Sequence, residues 1–184
     1  MRYLGTVEDN QHINLVMEYV AGGTLQSLYK SFDFSDKGIA KYTEEILLGL
    51  EYLHSNNIVH RDIKAANILV MDDGKCKLAD FGSSRNSTAI TDMHSFCGTP
   101  FWMAPEMVKQ AGHNRFADIW SLGCTVYEML MKRPPWKDRD TPVFQLFRRI
   151  ASEGRPSYPP RISSELRDFL DCCFEYDRMQ RANV

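Results

Sequence analysis

Three short clusters in the 184-residue sequence carry residue types that could act together in a reaction. Residues 60–67 fit the pattern H-R-D-x-x-x-x-N, residues 80–82 read Asp-Phe-Gly, and residues 104–106 read Ala-Pro-Glu. A carboxylate such as that of Asp62 can orient a hydroxyl group and accept its proton. Asn67 offers, like the aspartate at position 80, a hard oxygen ligand of the kind that Mg²⁺ prefers. The clusters therefore suit chemistry at a hydroxyl group that depends on positioning and on the neutralisation of charge.

The elements that position these clusters are expected to alternate between strands and helices over positions 1–80. Residues 13–20 are rich in strand formers and end at a pair of glycines. A short helix is predicted from Thr24, and Ser35 and Asp36 offer an N-cap to a long amphipathic helix. Residues 68–70 and 76–78 are short extended segments on either side of a glycine-containing turn, which predicts a β-hairpin.

Beyond position 80 the sequence predicts a long loop followed by helices. The segment 80–106 is polar, contains glycine and has no hydrophobic period, and so long a loop is usually functional. Residues 116–132 are apolar nearly all round, which is typical of a buried central helix. Further helices are predicted over 142–152 and 163–174. The chain is therefore expected to be mostly helical, with its strands confined to positions 1–80.

The composition excludes several classes of protein. Apolar residues make up 43% and charged residues 25%, and 22 basic against 24 acidic residues leave a formal charge of −2. This balance gives no reason to expect nucleic acid or an anionic membrane as a partner. No apolar run approaches the length of about 18 residues that a membrane span needs. The five cysteines show no C-x-x-C spacing, so we expect small buried thiols in a reducing compartment and a cytoplasmic protein.

Together the three clusters resemble the signature of the eukaryotic protein kinases. The resemblance runs over essentially all 184 residues. It implies an α+β, protein-kinase-like fold that consists mostly of the helical C-lobe, with the last strands and the hinge of the small lobe. The implied organisation is a partial protein kinase domain over 1–184. Within it, 1–16 would be a remnant of the small lobe, 17–24 the hinge and 25–184 the C-lobe.

The resemblance also assigns the residues that transfer the γ-phosphoryl group of ATP to a serine or threonine hydroxyl of a protein. Asp62 would orient the hydroxyl and accept its proton, Lys64 would place an ammonium near the terminal phosphate, and Thr99 would bond to both. Asn67 and Asp80 would be the metal ligands. The lysine at position 64 is similar to the serine/threonine branch of the family, because tyrosine kinases usually carry Ala and Arg along this loop.

The implied nucleotide site lies at the strand that precedes the hinge. Backbone groups of Glu18 and Val20 would bind the adenine edge, and Met17 would be the gatekeeper side chain behind it. Leu69 would form the apolar floor under the ring, while Asp80 would reach the phosphates through the metal. The resemblance thus implies ATP and Mg²⁺ as cofactors. Without the motifs, the segment before the hinge would be only a buried strand.

The long loop is the candidate regulatory switch. In the family, a phosphate on this loop is held by the arginine of H-R-D, here Arg61, through charge-assisted hydrogen bonds. Ser95, four residues before Thr99, occupies the usual phosphosite position, and Thr88 and Thr91 are further candidates. We expect an upstream kinase or autophosphorylation to modify Ser95, order the loop and raise activity. The alternative for each hydroxyl is an ordinary solvated loop residue.

A second set of residues is expected to hold the domain together without taking part in catalysis. Asp118 resembles the buried acid of the central helix that accepts backbone N–H bonds from the catalytic loop. Arg181 matches the arginine that pairs with Glu106 and ties the end of the long loop to the C-terminal helices. His60 and Phe81 are the structural members of their motifs.

The sequence departs from the family pattern before the hinge. Met17 is preceded by positions 1–16 alone, and none of these holds a lysine, so the glycine-rich lid, the strand lysine and its partner glutamate helix are not found. We expect the chain to be a fragment or truncated gene model of a longer kinase, with a naturally short protein as the alternative. The isolated chain is then expected to bind ATP weakly and to turn over little.

Within the kinases, segments 17–25, 80–85 and 98–106 look most like the MAP kinase kinase kinases, and they recur in the sterile-20-like kinases. The implied substrate is then a MAP kinase kinase. A catalytically inactive, pseudokinase-like scaffold is the alternative from another class. The missing lysine favours the scaffold, whereas the intact set of Asp62 with its two metal ligands argues against it. A hydrolase is set aside because no G-x-S-x-G occurs.

Overall fold

The computed structural model describes residues 1–9, 11–86, 98–112, 114–137 and 141–184. In this part of the chain, short strands precede and accompany a set of helices, which agrees with the α+β prediction. The strands are β1 (Tyr3–Glu8), β2 (Ile13–Met17), β3 (Ile58–Val59), β4 (Ile68–Val70), β5 (Cys76–Leu78) and β6 (Arg85–Asn86). The α-helices are α1 (Leu25–Ser31), α2 (Asp36–Ser55), α3 (Pro105–Val108), α4 (Arg115–Met131), α5 (Val143–Glu153) and α6 (Ser164–Cys173).

The N-terminal strands β1 and β2 form an antiparallel hairpin that adds little to the core. Glu8 pairs with Ile13 and Tyr3 with Met17, and the register shifts between Tyr3 and Gly5. Every residue of β2 is exposed, and Ile13 keeps 69% of its surface accessible. A ribbon of two strands has no neighbouring layer in which to bury its side chains. The alternative of a buried strand at this position is therefore wrong.

Helix α1 begins after Thr24, where the sequence predicts a short helix, and α2 begins at one of its two predicted caps. The hydroxyl of Thr24 accepts a hydrogen bond from the backbone N–H of Ser27, and the Ser27 hydroxyl in turn accepts from the N–H of Thr24, which makes a capping box. The Ser35 hydroxyl accepts from the N–H of Gly38 at the start of α2. As an amphipathic helix should, α2 buries one stripe of side chains, which comprises Ile39, Thr43, Ile46, Leu50 and Leu53.

The predicted hairpin is confirmed as β4 and β5, whose register pairs Ile68 with Leu78. A backbone hydrogen bond of 2.9 Å from the N–H of Val70 to the carbonyl of Gly23 joins this hairpin to the segment before α1. The approach is so close that a Cβ atom at Gly22 would lie 2.1 Å from the Val70 carbonyl oxygen. Glycine at position 22 therefore allows the hairpin to lie against the candidate hinge.

Helix α4 is the buried centre of the fold, as its apolar sequence predicts. All residues from Ala117 to Met129 are buried, and α4 packs against both α2 and α6. The ring of Trp120 stacks on that of Trp136 with 6.1 Å between centroids, and the ring of Phe174 meets it edge-on at 5.1 Å. The core of the molecule lies around this helix. In the part of the chain that the structure describes, no helix has the length and apolarity that crossing a membrane requires.

Two expectations about the fold are wrong in detail. Strands are not confined to positions 1–80, because β6 pairs Arg85 with Val59 of β3. A strand as short as β6 shows no period in the sequence. Cys172 is exposed, whereas Cys173 beside it on α6 is buried, because consecutive residues point in directions about 100° apart on a helix. Burial raises the pKa of the Cys173 thiol. Cys97 lies outside the described residues.

The segment 80–106 also contains more regular structure than its lack of period predicts. Its described residues include 3₁₀ turns at Phe81–Ser83 and Pro100–Trp102 and the short helix α3. In the second turn, Pro100 supplies a φ angle that suits the first helical position. Each of these elements is too short to display a hydrophobic period, which explains why the sequence pattern does not reveal them.

Candidate active site

The segment 60–67, the candidate catalytic loop, is anchored to the central helix by one buried acid. Asp118, in the first turn of α4, is fully buried. Its carboxylate accepts backbone N–H bonds from His60 at 2.9 Å and from Arg61 at 2.8 Å, and the ring nitrogen Nε2 of His54 lies 2.9 Å from it. Arg61 adopts φ = 74°, a left-handed conformation that costs a non-glycine residue energy. The bond to Asp118 helps to hold this turn.

Four donor groups converge on the carboxylate of Asp62. Its Oδ1 accepts from the backbone N–H of Thr99 at 3.0 Å and from the Thr99 hydroxyl at 2.7 Å. Its Oδ2 accepts from Lys64 Nζ at 2.7 Å and from the amide nitrogen of Asn67 at 2.9 Å. Burial raises the pKa of Asp62, but the hydrogen bonds from Lys64 and Thr99 outweigh it, and the net pKa is lower than usual. Asp62 is therefore an ionised, oriented carboxylate at neutral pH.

Lys64 joins the catalytic loop to the end of the long loop. Its ammonium group lies 2.7 Å from Asp62 Oδ2 and donates to the hydroxyl of Thr99 at 2.6 Å. Because the side chain is partly buried, this contact places a positive charge beside the carboxylate in a poorly solvated setting. The three residues form one hydrogen-bonded unit across 37 positions of sequence.

Asn67 contacts this unit and Asp80 begins the Asp-Phe-Gly segment after β5, and both residues offer the oxygen atoms that a hard divalent cation requires. The amide nitrogen of Asn67 donates to the backbone carbonyl and to the carboxylate of Asp62, so the amide oxygen points away from these two acceptors. The backbone N–H of Ala79 donates to the backbone carbonyl of Asn67 at 2.9 Å. Asp80 is the next residue after Ala79. Asp80 is exposed and has φ = 61°. One amide oxygen and carboxylates fit an ion such as Mg²⁺. The described residues contain no group of three or more His, Cys, Asp and Glu side chains that could hold a metal.

His60 packs the catalytic loop against the Asp-Phe-Gly segment. Its ring lies 5.0 Å from that of Phe81, centroid to centroid, and its Nε2 is 3.1 Å from the Ala79 carbonyl. The N–H of Asp62 points at Nδ1 from 3.4 Å. These contacts fit a neutral ring that donates through Nε2 and accepts at Nδ1. Burial lowers the pKa of His60, although the negative charge of Asp118 partly opposes the effect.

The candidate hinge presents free main-chain groups beside the hairpin. The N–H of Glu18 donates to the Arg2 carbonyl at 2.9 Å, so the carbonyl of Glu18 is the group left for a ligand. In the described structure, the backbone N–H of Val20 makes no hydrogen bond. The Glu18 carboxylate accepts from Lys77 of β5 at 2.6 Å, which joins hinge and hairpin. Leu69 is half-buried on β4, and Met17 keeps 39% of its surface accessible.

Glu106 and Arg181 form a buried bidentate ion pair. Arg181 Nη1 lies 2.7 Å from Glu106 Oε1, and Nη2 lies 3.1 Å from Oε2. The guanidinium group also donates to the Phe116 carbonyl at 2.9 Å and stacks over the Trp120 ring at 5.1 Å. The side chain of Arg181 is fully buried. The pair therefore connects α3, at the end of the long loop, to α4 and the C-terminal segment.

Glu128 is a functional candidate that the motif analysis missed. Its side chain is fully buried in α4. It accepts hydrogen bonds from the hydroxyl of Tyr29 at 2.5 Å and from the indole N–H of Trp102 at 3.2 Å. Gln26 and the backbone N–H of Ala65 donate to it at 3.4 Å. Its carboxylate thus links α1, the catalytic loop and the turn after Thr99. An acid in a nearly continuous apolar run was the signal that could have revealed it.

Ser95, Thr91 and Thr88 lie outside the described residues, so a contact between a phosphate on this loop and Arg61 stays a prediction. Arg61 itself is buried, with 4% of its surface accessible.

Gly98 is the described residue that leads into Thr99, and its conformation predicts a strong effect of substitution. Its φ angle is 101°, and a Cβ atom there would lie 2.9 Å from the Arg61 carbonyl oxygen. We expect Gly98→Ala to reduce kcat and to cost about 1–3 kcal/mol of stability, because the strained backbone displaces Thr99 from Asp62. Phosphotransfer assays and urea unfolding test this. Gly5→Ala, where a Cβ atom would meet nothing within 4 Å, is the control. Equal behaviour of the two variants would contradict the prediction.

The order of these motifs is typical of the protein kinase domain, and comparison with known proteins agrees. The chain matches the protein kinase domain family over residues 1–184, and it belongs to that family. It is 44% identical over 186 residues to mitogen-activated protein kinase kinase kinase A of Dictyostelium discoideum, covering 100% of the chain and 20% of the relative. It is 46% identical over 192 residues to mitogen-activated protein kinase kinase kinase 3 of Arabidopsis thaliana, covering 100% of the chain and 29% of the relative.

A third relative shows that the similarity extends beyond proteins of that name. The chain is 43% identical over 178 residues to cell division control protein 7 of Schizosaccharomyces pombe, covering 96% of the chain and 16% of the relative. The chain thus spans between about a sixth and about three tenths of the length of these relatives. Its similarity to the MAP kinase kinase kinases agrees with the resemblance of segments 17–25, 80–85 and 98–106.

Proposed function

We propose that the protein containing this chain is a serine/threonine kinase, which transfers the γ-phosphoryl group of ATP to a hydroxyl group of a protein substrate. The observation that carries the proposal is the unit of Asp62, Lys64 and Thr99, in which a carboxylate with a lowered pKa lies beside an ammonium group. This arrangement suits a reaction in which a hydroxyl is oriented while negative charge moves. The intact unit does not favour the alternative of an inactive scaffold.

In the proposed mechanism, Asp62 orients the acceptor hydroxyl and takes its proton as the bond to phosphorus forms. Lys64 stabilises negative charge on the transferring group, and Thr99 keeps both side chains in place. Asn67 and Asp80 would hold Mg²⁺, which when bound neutralises charge on the phosphates. The amide nitrogen of Asn67 donates to the backbone carbonyl and to the carboxylate of Asp62. These bonds fix the position of the proposed base, Asp62, relative to the proposed metal ligand Asn67.

The proposed adenine site uses the groups that the hinge leaves free. The Glu18 carbonyl would accept from the adenine amino group, and the Val20 N–H would donate to the ring. Met17 and Leu69 would contact its apolar faces. In this proposal residues 1–16 belong to the small lobe, 17–24 to the hinge and 25–184 to the C-lobe.

We further propose, from the names of the relatives, that the protein acts as a MAP kinase kinase kinase on a MAP kinase kinase in the cytoplasm. An upstream kinase or autophosphorylation would activate it at Ser95. We expect Ser95→Ala to lower kcat in the full-length gene product, because Arg61 would lose the phosphate that it pairs with. Thr91→Ala is the comparison variant. Full activity of Ser95→Ala would contradict this assignment.

The direct test offers matched peptides with Ser, Thr or Tyr at one position, together with radiolabelled ATP and Mg²⁺, to the full-length gene product. We expect label on the Ser and Thr peptides and on a MAP kinase kinase, and loss of the latter when its acceptor hydroxyls are replaced by Ala. Label on Tyr alone, or no label with any substrate, would contradict the proposed function.

A further inference from the structure

A cavity of about 380 Å³ lies beside the candidate active site, between α1, the C-terminal end of α4 and the turn at Pro100–Trp102. Its interior includes the buried side chains of Tyr29, Trp102 and Glu128. Trp102 follows Thr99 by three positions, and the Glu128 carboxylate receives the N–H of Ala65, the residue after Lys64. The cavity therefore adjoins the place where a protein substrate presents its hydroxyl.

Positive side chains surround this opening. Lys30 from α1 and Lys132, Arg133 and Lys137 from the end of α4 and beyond it line the cavity, and all four are exposed. Of these four cations, Lys132 alone has an acidic partner among the residues that the structure describes, since its Nζ lies 2.6 Å from Asp33. The described lining holds these four cations and one acid, Glu128, so the described residues of the lining carry an excess of positive charge.

The acid inside the cavity does not reverse this sign. Glu128 accepts hydrogen bonds from Tyr29, Gln26, Trp102 and Ala65, so neutral donors already occupy its oxygens. A cation that entered the cavity would have to displace these donors and to pass the exposed ammonium groups. An anion meets those groups first, with the Trp102 and Tyr29 rings beneath them.

We propose that this cavity is a substrate subsite that binds an aspartate or glutamate side chain close to the acceptor hydroxyl. The inference rests on the proposed kinase function and adds a specificity to it. Lys30 and Lys137 are the specificity-determining residues, because they come from two separate elements and have no acidic partner in the described structure. Charged groups at the edge of an interface act mainly on encounter and partner choice.

The test compares three peptides that are identical except for acidic, neutral or basic residues around the acceptor serine. We expect the full-length gene product to prefer the acidic peptide over the basic one by about tenfold in kcat/KM, as a few exposed ion pairs provide. The Lys30→Glu/Lys137→Glu double variant should lose or invert this preference, because its KM for the acidic peptide should rise. Lys37→Glu, an exposed lysine on α2 away from the cavity, is the control and should keep the preference.

Fluorescence anisotropy of the same peptides measures binding without turnover, so the two proposals can fail separately. Tighter binding of the acidic peptide, weakened by salt and by the double variant, supports the subsite. Equal binding of all peptides, tighter binding of the basic peptide, or a double variant that behaves like Lys37→Glu overturns it. Phosphorylation of all three peptides at equal rates overturns the subsite but leaves the kinase function standing. Acid-selective binding without any transfer contradicts the kinase function alone.

Discussion

Asp62→Asn in the full-length gene product is expected to lower kcat by roughly 10²–10⁴-fold, because positioned proton transfer contributes about that much. The amide of the variant cannot accept a proton from the substrate hydroxyl. It also presents an N–H₂ group to the donors of Lys64, Thr99 and Asn67, which now meet no charged acceptor. Release of ADP at saturating ATP and peptide measures the effect.

The matched control for this variant is Asp72→Asn, an exposed acid in the turn between β4 and β5. It should retain kcat, and thermal unfolding should show that both variants are folded. An Asp62→Asn enzyme that kept more than about a tenth of its activity would contradict the role of general base. The lowered pKa of Asp62 has a further consequence for the wild type. Asp62 stays ionised as the pH falls from 7 to 5, so it should cause no loss of rate in that interval.

Arg181→Met is expected to reduce the free energy of unfolding by about 3–5 kcal/mol, the usual cost of leaving one member of a buried pair without its partner. Glu106 would remain buried with a charge that no cation balances, and the cation stacked on Trp120 would be lost. Urea unfolding of the chain, with the midpoint compared at equal slope, measures the loss.

Two comparisons make the Arg181 experiment specific. Arg155→Met removes an ion pair with Asp171 that is largely exposed, and it should cost less than about 1 kcal/mol. The double variant Glu106→Gln/Arg181→Met removes both charges and should recover part of the loss. A single variant as stable as Arg155→Met would show that the pair adds nothing to the connection between α3 and the C-terminal segment.

The sequence predicted the parts of this fold in which local signals and packing agree. Helix α4 is apolar nearly all round and proves buried all round, and the cap at Ser35 begins α2 at the expected residue. The resemblance to the kinases implied that Thr99 bonds to Asp62 and Lys64, and these three side chains form one hydrogen-bonded unit in the structure. The roles of these residues in catalysis stay predictions until the variants are assayed.

Other features depended on information that a linear pattern does not contain. Glu128 carries no motif, and its importance follows from four donors that three separate segments bring to it. The exposure of β2 follows from the neighbours that a strand has in space, and its strand-forming residues alone suggested burial. The cations around the proposed subsite, such as Lys30 and Lys137, are more than 100 positions apart in sequence and meet only through the packing of α1 beside α4.

The attachment of the catalytic loop to Asp118 sets an order of events during synthesis. His60 and Arg61 lie 58 and 57 positions upstream of the acid that receives their N–H groups. A nascent chain that has emerged only as far as the β4–β5 hairpin has no acceptor to hold the left-handed turn at Arg61. The reactive constellation can therefore form only after the central helix has left the ribosome, and a chain that stalls earlier would leave chaperones with an unfinished, inactive intermediate.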